Sequence, residues 1–234
     1  EDVDFKLYDD RLEDIPYDEQ FDLVAISATT PTVKRGYKIA QEFKSRKIPV
    51  VMGGIHPTLA PEEAIEYCDS VVMGSAESIW PQVILDARNG NLKKYYYPEN
   101  KSFIPGLIPE RSIFKGKKYN NVYPVQFGQG CVHNCDFCVT PPFYGPYTQR
   151  AVDEVVYEIS KLGRHPKVLF TDDNIVAIPD NSKELFRKLI PLGIQWVGQA
   201  TIEAGQDSEL LSLMRKSGCR YLLVGFESLA KDNL

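Results

Sequence analysis

Apolar and polar positions alternate along this chain in blocks, and the blocks change period. Asp22 to Ser27 (Asp-Leu-Val-Ala-Ile-Ser) is a nearly continuous apolar run that closes on a small hydroxyl residue, the profile of a strand buried on both faces. From Val33 the apolar positions Val33, Tyr37, Ala40 and Phe43 recur at helical spacing, which predicts an amphipathic helix over 33–46. Ile48 to Met52 reads as the next buried strand and runs into Gly53-Gly54. Pro61-Glu62-Glu63 then marks a helix start, with Pro in the first turn and acids favourable to the dipole. Residues 70–73 predict a strand and 79–88 a helix. Upstream of all this, residues 3–7 alternate and read as a strand, followed by an acidic loop through Asp18.

The rhythm pauses over 89–121, a stretch rich in Lys, Tyr, Asn and Pro, and restarts at Val122. Strands are predicted over 122–127, 167–171, 194–200 and 220–225, with helices over 151–162, 182–190 and 207–216. Strands alternating with helices imply parallel sheets joined by right-handed crossovers. The expected fold is therefore α/β. Residues 1–88 form a doubly wound, Rossmann-like domain, 89–121 a packed linker, and 122–234 four βα units of a barrel. Ligands in such folds bind beyond the carboxyl ends of the strands. Small or polar residues gather at those ends: Ser27-Ala28-Thr29-Thr30, Gly53-Gly54, Gly74-Ser75-Ala76, Thr171-Asp172-Asp173-Asn174, Gln199 with Thr201, and Gly225-Phe226-Glu227-Ser228.

Bulk composition narrows the function classes. The apolar share of 43% is enough for real cores, and the net charge of −5 is spread without the clustered basic patch of a nucleic-acid surface. No apolar run approaches the roughly 18 residues of a spanning helix. Five cysteines, an odd number, argue against a disulfide framework and for a reducing, cytoplasmic setting. Cys68 and Cys219 each adjoin a predicted strand and read as core thiols.

The remaining three carry the chemistry. Gly130-Cys131-Val132-His133-Asn134-Cys135-Asp136-Phe137-Cys138 places three thiols at the spacing C-x3-C-x2-C directly after a strand. Four thiolates normally hold a four-iron cluster. Three leave one iron open, and an open position is where substrate chemistry occurs. A structural zinc site needs a fourth nitrogen or sulfur ligand. His133 is the local candidate, but it lies two residues from both Cys131 and Cys135, an awkward spacing for simultaneous ligation.

This loop resembles that of the radical S-adenosylmethionine enzymes, and Phe137, the aromatic before the last cysteine, fits the same pattern. The resemblance implies a 4Fe-4S cluster on Cys131, Cys135 and Cys138, with S-adenosylmethionine chelating the open iron and yielding a 5′-deoxyadenosyl radical. The expected cofactor contacts are Phe137 at the adenine and Glu227 and Ser228 at the methionine or ribose. Asp172, Asn174 and Gln199 stand at the other strand ends. The family usually has six βα units, so the four read here suggest a chain cut short, as do a start without Met and an end just after a strand.

The first 88 residues resemble the cobalamin-binding domain that precedes many such barrels. Ser27-Ala28-Thr29 matches the turn after one strand and Gly53-Gly54 the pair after the next. Ile55-His56-Pro57-Thr58 and Gly74-x-x-Glu77 also fit. The resemblance implies cobalamin contacts at Ser27, Thr29, Thr30, Gly53, Gly54, His56, Thr58, Gly74 and Glu77. The Asp-x-His-x-x-Gly motif that ligates cobalt elsewhere is absent, which leaves the lower ligand open.

The expected activity is cobalamin-dependent methyl transfer to a poorly activated centre of a small or lipid-like molecule, with flavodoxin or ferredoxin as electron donor. A radical cyclase or rearrangement enzyme is the alternative, and a non-catalytic corrinoid or iron–sulfur sensor is a rival of another class. An RNA methylthiotransferase would be expected to hold a second cluster on three cysteines in its front domain, where this chain has only Cys68.

Overall fold

The computed structural model describes residues 3–98 and 103–226. It divides into two compact units, 1–104 and 105–234, each built on its own four-stranded parallel sheet.

The first unit runs β1 (Val24–Ser27), α1 (Val33–Ser45), β2 (Val50–Gly53), α2 (Ile55–Leu59), α3 (Pro61–Ala64), β3 (Ser70–Val72), α4 (Trp80–Arg88) and β4 (Tyr95–Tyr96), with strand order β1-β2-β3-β4. Successive strand residues face opposite ways, and both faces are covered. Val50, Met52 and Val71 pack with Val33, Tyr37, Ala40 and Phe43 of α1. Val51 and Val72 pack with Val83 of α4 and with Tyr96. The predicted elements are recovered within a few residues, apart from three differences. Residues 3–8 form no strand: Val3 and Phe5 are exposed and no ladder receives them. Alternation alone does not make a strand where no neighbour supplies hydrogen bonds. Tyr95–Tyr96, within the stretch read as a linker, joins the sheet through its pairing with Val71 and Val72. The short helix α2 was not foreseen, since its His-Pro-Thr composition carries no helical period.

The second unit contains β5 (Tyr123–Val125), β6 (Gly128–Gln129), α5 (Thr140–Tyr144), β7 (Thr148–Gln149), α6 (Val152–Ser160), β8 (Lys167–Phe170), α7 (Pro179–Leu189), β9 (Gln195–Ala200), α8 (Ser208–Lys216) and β10 (Cys219–Val224). Its sheet has the order β10-β9-β8-β5. One face lies under α6, α7 and α8 and forms the core. Trp196 is wholly buried there, stacked on Phe186 at 5.1 Å and edge-on to Phe170 at 5.4 Å. Its indole N–H is satisfied by Ser217 Oγ at 3.0 Å, as a buried indole requires. The other face of the same strands, with Leu169, Tyr221 and Leu223, is exposed among the described residues.

Beneath α6 lies a buried ion triad. Glu158, its side chain 0% exposed, takes Arg111 Nη2 on one oxygen at 2.5 Å and Arg150 Nη1 on the other at 2.6 Å. Both guanidiniums continue to the backbone leaving β5: Arg111 donates to Pro124 O and Arg150 to Gln126 O. Removing one member of a buried pair leaves an uncompensated charge and costs about 3–5 kcal/mol. Glu158→Ala should therefore destabilise the second unit by that order. Urea denaturation followed by circular dichroism measures it, and a loss below ~1 kcal/mol would show that the triad behaves as a surface pair.

Candidate functional site

The cysteine loop begins where the chain leaves the second sheet. After Val125 the β5 ladder ends, and the next backbone donors find side chains instead. Asp172, at the end of β8, accepts Phe127 N–H on Oδ2 at 3.1 Å and Gly128 N–H on Oδ1. Arg150 closes the opposite side, donating its backbone N–H to Phe127 O at 2.9 Å. Just beyond, β6 and β7 pair antiparallel, Gly128 with Gln149 and Gln129 with Thr148. The residues between them, including all three cysteines and α5, thus form a loop pinned at its base. A Cβ at Gly128 would collide with the Tyr147 ring, so glycine there lets the aromatic lie directly on the backbone.

Within the loop Cys131 and Cys138 are half-buried and Cys135 is exposed. A tight turn joins Cys138 N–H to Cys135 O at 3.0 Å, and Cys138 Sγ accepts the Thr140 N–H at 3.5 Å. Burial raises the Cys131 thiol above its ordinary value, and the charges of Asp173, Cys138 and Cys135 push the same way. The three sulfurs thus lie within electrostatic reach of one another. Among the described residues, no group of three His, Cys, Asp or Glu side chains is gathered tightly enough to hold an ion as it stands. The donor set itself fits an iron–sulfur cluster: three thiols, mutually repelled as thiolates, on one loop whose base is fixed. Cys68 is sealed in the first core, donating to Ala64 O and Ser70 O, and burial pushes its thiol up to about 11. Burial likewise pushes Cys219 up to about 11. Cys68 is a core thiol, and Cys219 is half-buried against the second core.

The other residues expected near S-adenosylmethionine are dispersed in character. Phe137 is 70% exposed on the cysteine loop, an apolar ring with nothing over it among the described residues. Asn174 is buried and links two strand ends, its Oδ1 accepting Val176 N–H and its Nδ2 facing Thr201 Oγ1 at 3.5 Å. Gln199 is half-buried, and its carbonyl accepts Ile175 N–H at 2.9 Å. Asp172 is 1% exposed, with both oxygens on backbone donors. Burial pushes its carboxyl up to about 7 against those two hydrogen bonds. Glu227 and Ser228 lie outside the described residues. Tyr147, Thr140 and Asp173 also belong to this neighbourhood: burial raises the Asp173 carboxyl while the Thr140 hydroxyl lowers it. No spacing rule in the sequence picks them out.

In the first unit most of the expected cobalamin contacts meet at one sheet end. Ser27 and Gly53 are register partners. Ser27, Thr29 and Thr30 are exposed. Thr58 Oγ1 donates to Gly54 O at 2.8 Å and accepts Gly74 N–H at 2.9 Å, joining the ends of β2 and β3. His56 Nδ1 is 3.2 Å from Thr30 Oγ1, while its Nε2 is buried without a hydrogen-bond partner, 3.6 Å from Glu63. Glu77 lies further along, exposed. The two glycines serve the chain itself. Gly54 sits at φ +93°, and a Cβ there would lie 2.7 Å from Ala28 O. A Cβ on Gly53 would face Val72 O at 3.3 Å. What remains is a shelf of exposed small hydroxyl side chains beside one buried imidazole nitrogen without a hydrogen-bond partner.

Comparison with known proteins matches one family to each part of the chain. The B12 binding domain family matches residues 1–84 and the Radical SAM superfamily residues 125–234. Bacteriochlorophyllide d C-12(1)-methyltransferase of Chlorobaculum tepidum is 33% identical over 99% of this chain and 54% of its own length. The C-8(2)-methyltransferase of the same organism is 30% identical over 98% of this chain and 55% of its own. The chain thus spans about half the length of these relatives. Among solved structures, the radical S-adenosylmethionine methyltransferase TsrM from Kitasatospora setae, with cobalamin and a [4Fe-4S] cluster bound, shares the fold at a TM-score of 0.71. That match has 18% identity and covers 92% of this chain and 52% of the other. The two family models name the cofactors of the two domains: B12 for the first and S-adenosylmethionine for the second. With a B12-binding domain in front of a radical S-adenosylmethionine domain, the chain belongs to the cobalamin-binding radical S-adenosylmethionine family.

Proposed function

We propose that this chain is the cofactor-holding part of a cobalamin-dependent methyltransferase acting on a poorly activated carbon. The observation that carries the reading is the pairing, in one chain, of a base-pinned three-thiol loop with a separate parallel sheet ending in small hydroxyl residues. Two relatives that match nearly the whole chain at 30% identity or more both bear the name of methyltransferases of bacteriochlorophyllide d. They make a peripheral carbon of a tetrapyrrole the favoured substrate class.

In this reading Cys131, Cys135 and Cys138 hold the cluster by three of its irons. Phe137 offers the adenine an apolar face, and Asn174 and Gln199 line the approach. Ser27, Thr29, Thr30 and Thr58 present hydroxyls to the corrinoid, and His56 offers its unpartnered nitrogen. When bound, these groups supply a 5′-deoxyadenosyl radical and a transferable methyl group. The polypeptide orients them and excludes water. A one-electron donor such as flavodoxin or ferredoxin supplies the electron.

Anaerobic reconstitution should load about four irons per chain. Replacing all three loop cysteines by Ala should abolish that loading, whereas Cys68→Ala and Cys219→Ala should leave it intact. Zinc at unit stoichiometry in anaerobically purified protein would sink the cluster assignment. For the first domain, Ser27→Trp should lower corrinoid uptake, read from the corrin absorption bands, by ten-fold or more with unchanged iron. Equal uptake would move the corrinoid off this shelf. The reaction is tested with the whole protein. Methyl transfer consumes two S-adenosylmethionine molecules per turnover, one leaving as 5′-deoxyadenosine and one as S-adenosylhomocysteine. Substrate-dependent 5′-deoxyadenosine without S-adenosylhomocysteine or methylated product would favour a cyclase or rearrangement instead.

A further inference from the structure

We propose that Asp172 is a positioning residue for the cysteine loop: its buried carboxylate sets the path of the backbone into Cys131 and thereby the place of the first thiol relative to the other two. The proposal rests on the reading of Cys131, Cys135 and Cys138 as cluster ligands.

The argument begins with the donors. Once the chain departs from the β5 ladder, Phe127 and Gly128 carry buried N–H groups with no strand carbonyl opposite. An unmet donor costs the full desolvation of the group. Asp172 meets both, one per oxygen. The geometry demands a carboxylate. An asparagine has one carbonyl oxygen, so its amide N–H₂ would be turned against the second donor. The side chain itself is 1% exposed. Gln129 is buried immediately downstream and Tyr147 covers Gly128. A displacement at residues 127–128 therefore has only two residues, Gln129 and Gly130, in which to be absorbed before Cys131. Asp172 also stands close enough for its charge to raise the Tyr147 hydroxyl, which the Cys131 thiol raises as well, after burial. Carboxylate, aromatic and thiol thus form one neighbourhood. The role assigned is mechanical: Asp172 touches neither cofactor nor substrate and acts through the loop.

The test compares wild type with Asp172→Asn, which preserves volume. Amide hydrogen exchange of the apo protein comes first, because it needs no cofactor. Peptides spanning 126–131 should exchange ten-fold or more faster in the variant, with those of α6 and α7 unchanged. Both proteins are then reconstituted anaerobically. The variant should bind iron within two-fold of wild type. Its reduced cluster should show an altered electron paramagnetic resonance spectrum, and the spectral change that S-adenosylmethionine induces in wild type should fall at least ten-fold. Equal exchange over 126–131 would overturn the proposal. So would a wild-type cluster spectrum with S-adenosylmethionine affinity alone reduced, since that marks a direct contact. If Asp172→Asn does not fold, Asp172→Ser, whose hydroxyl admits a water to the two donors, gives the same readouts. Failure of wild type itself to load iron would refute the cluster reading, while the exchange result would still decide the role of Asp172.

Discussion

Every backbone donor and acceptor withdrawn from water needs a partner, and in the second unit that rule bears hardest on residues 124–128. The ladder of β5 stops at Val125 while the chain is still inside the protein. Two buried acids resolve the shortage. Asp172 receives the N–H groups of 127 and 128. Glu158 holds Arg111 and Arg150, which bring guanidinium donors to the carbonyls of Pro124 and Gln126. Burying charge is costly unless it is paired and bonded, and here each acid meets two partners. The cysteine loop inherits its position from that arrangement.

The first unit solves a different problem with smaller means. Its strand ends crowd together, and glycine removes the side chains that would not fit: Gly54 against Ala28 O and Gly53 against Val72 O. A glycine pair at a strand end is easily read as a landing place for a ligand. Here neighbouring backbone lies against the position that each glycine's Cβ would take. Thr58 bridges two strand ends with one oxygen.

Legibility in the sequence followed the range of the interactions. Periodicity is local, so β1 to β3, α1, α4, α6 to α8 and the long strands of the second unit were all readable from apolar spacing. The cysteine triad was readable because three ligands fall within one short segment. Pairings across distance left no such mark. Tyr95–Tyr96 becomes a strand only because Val71 and Val72 lie beside it, and residues 3–7 fail to become one for want of a neighbour. The β6–β7 ribbon joins two dipeptides across the cysteine loop, too short for any period to show. Asp172 illustrates the same limit at a site: its place at a strand end says nothing of its backbone partners, which lie 44 and 45 residues away in the chain.

The β6–β7 ribbon also changes the thermodynamics of filling the loop. Bringing together the ends of a flexible segment of about 18 residues costs roughly 2.5 kcal/mol in chain entropy, by the logarithmic law for loop closure. The ribbon and its side-chain clamps meet that cost during folding, before any metal arrives. On the proposed reading the three thiols then act as a tethered, multidentate chelator with an effective concentration far above that of free cysteines in solution. Assembly of the cluster becomes a local event on a folded scaffold. Its loss would empty the loop without dissolving the sheet behind it.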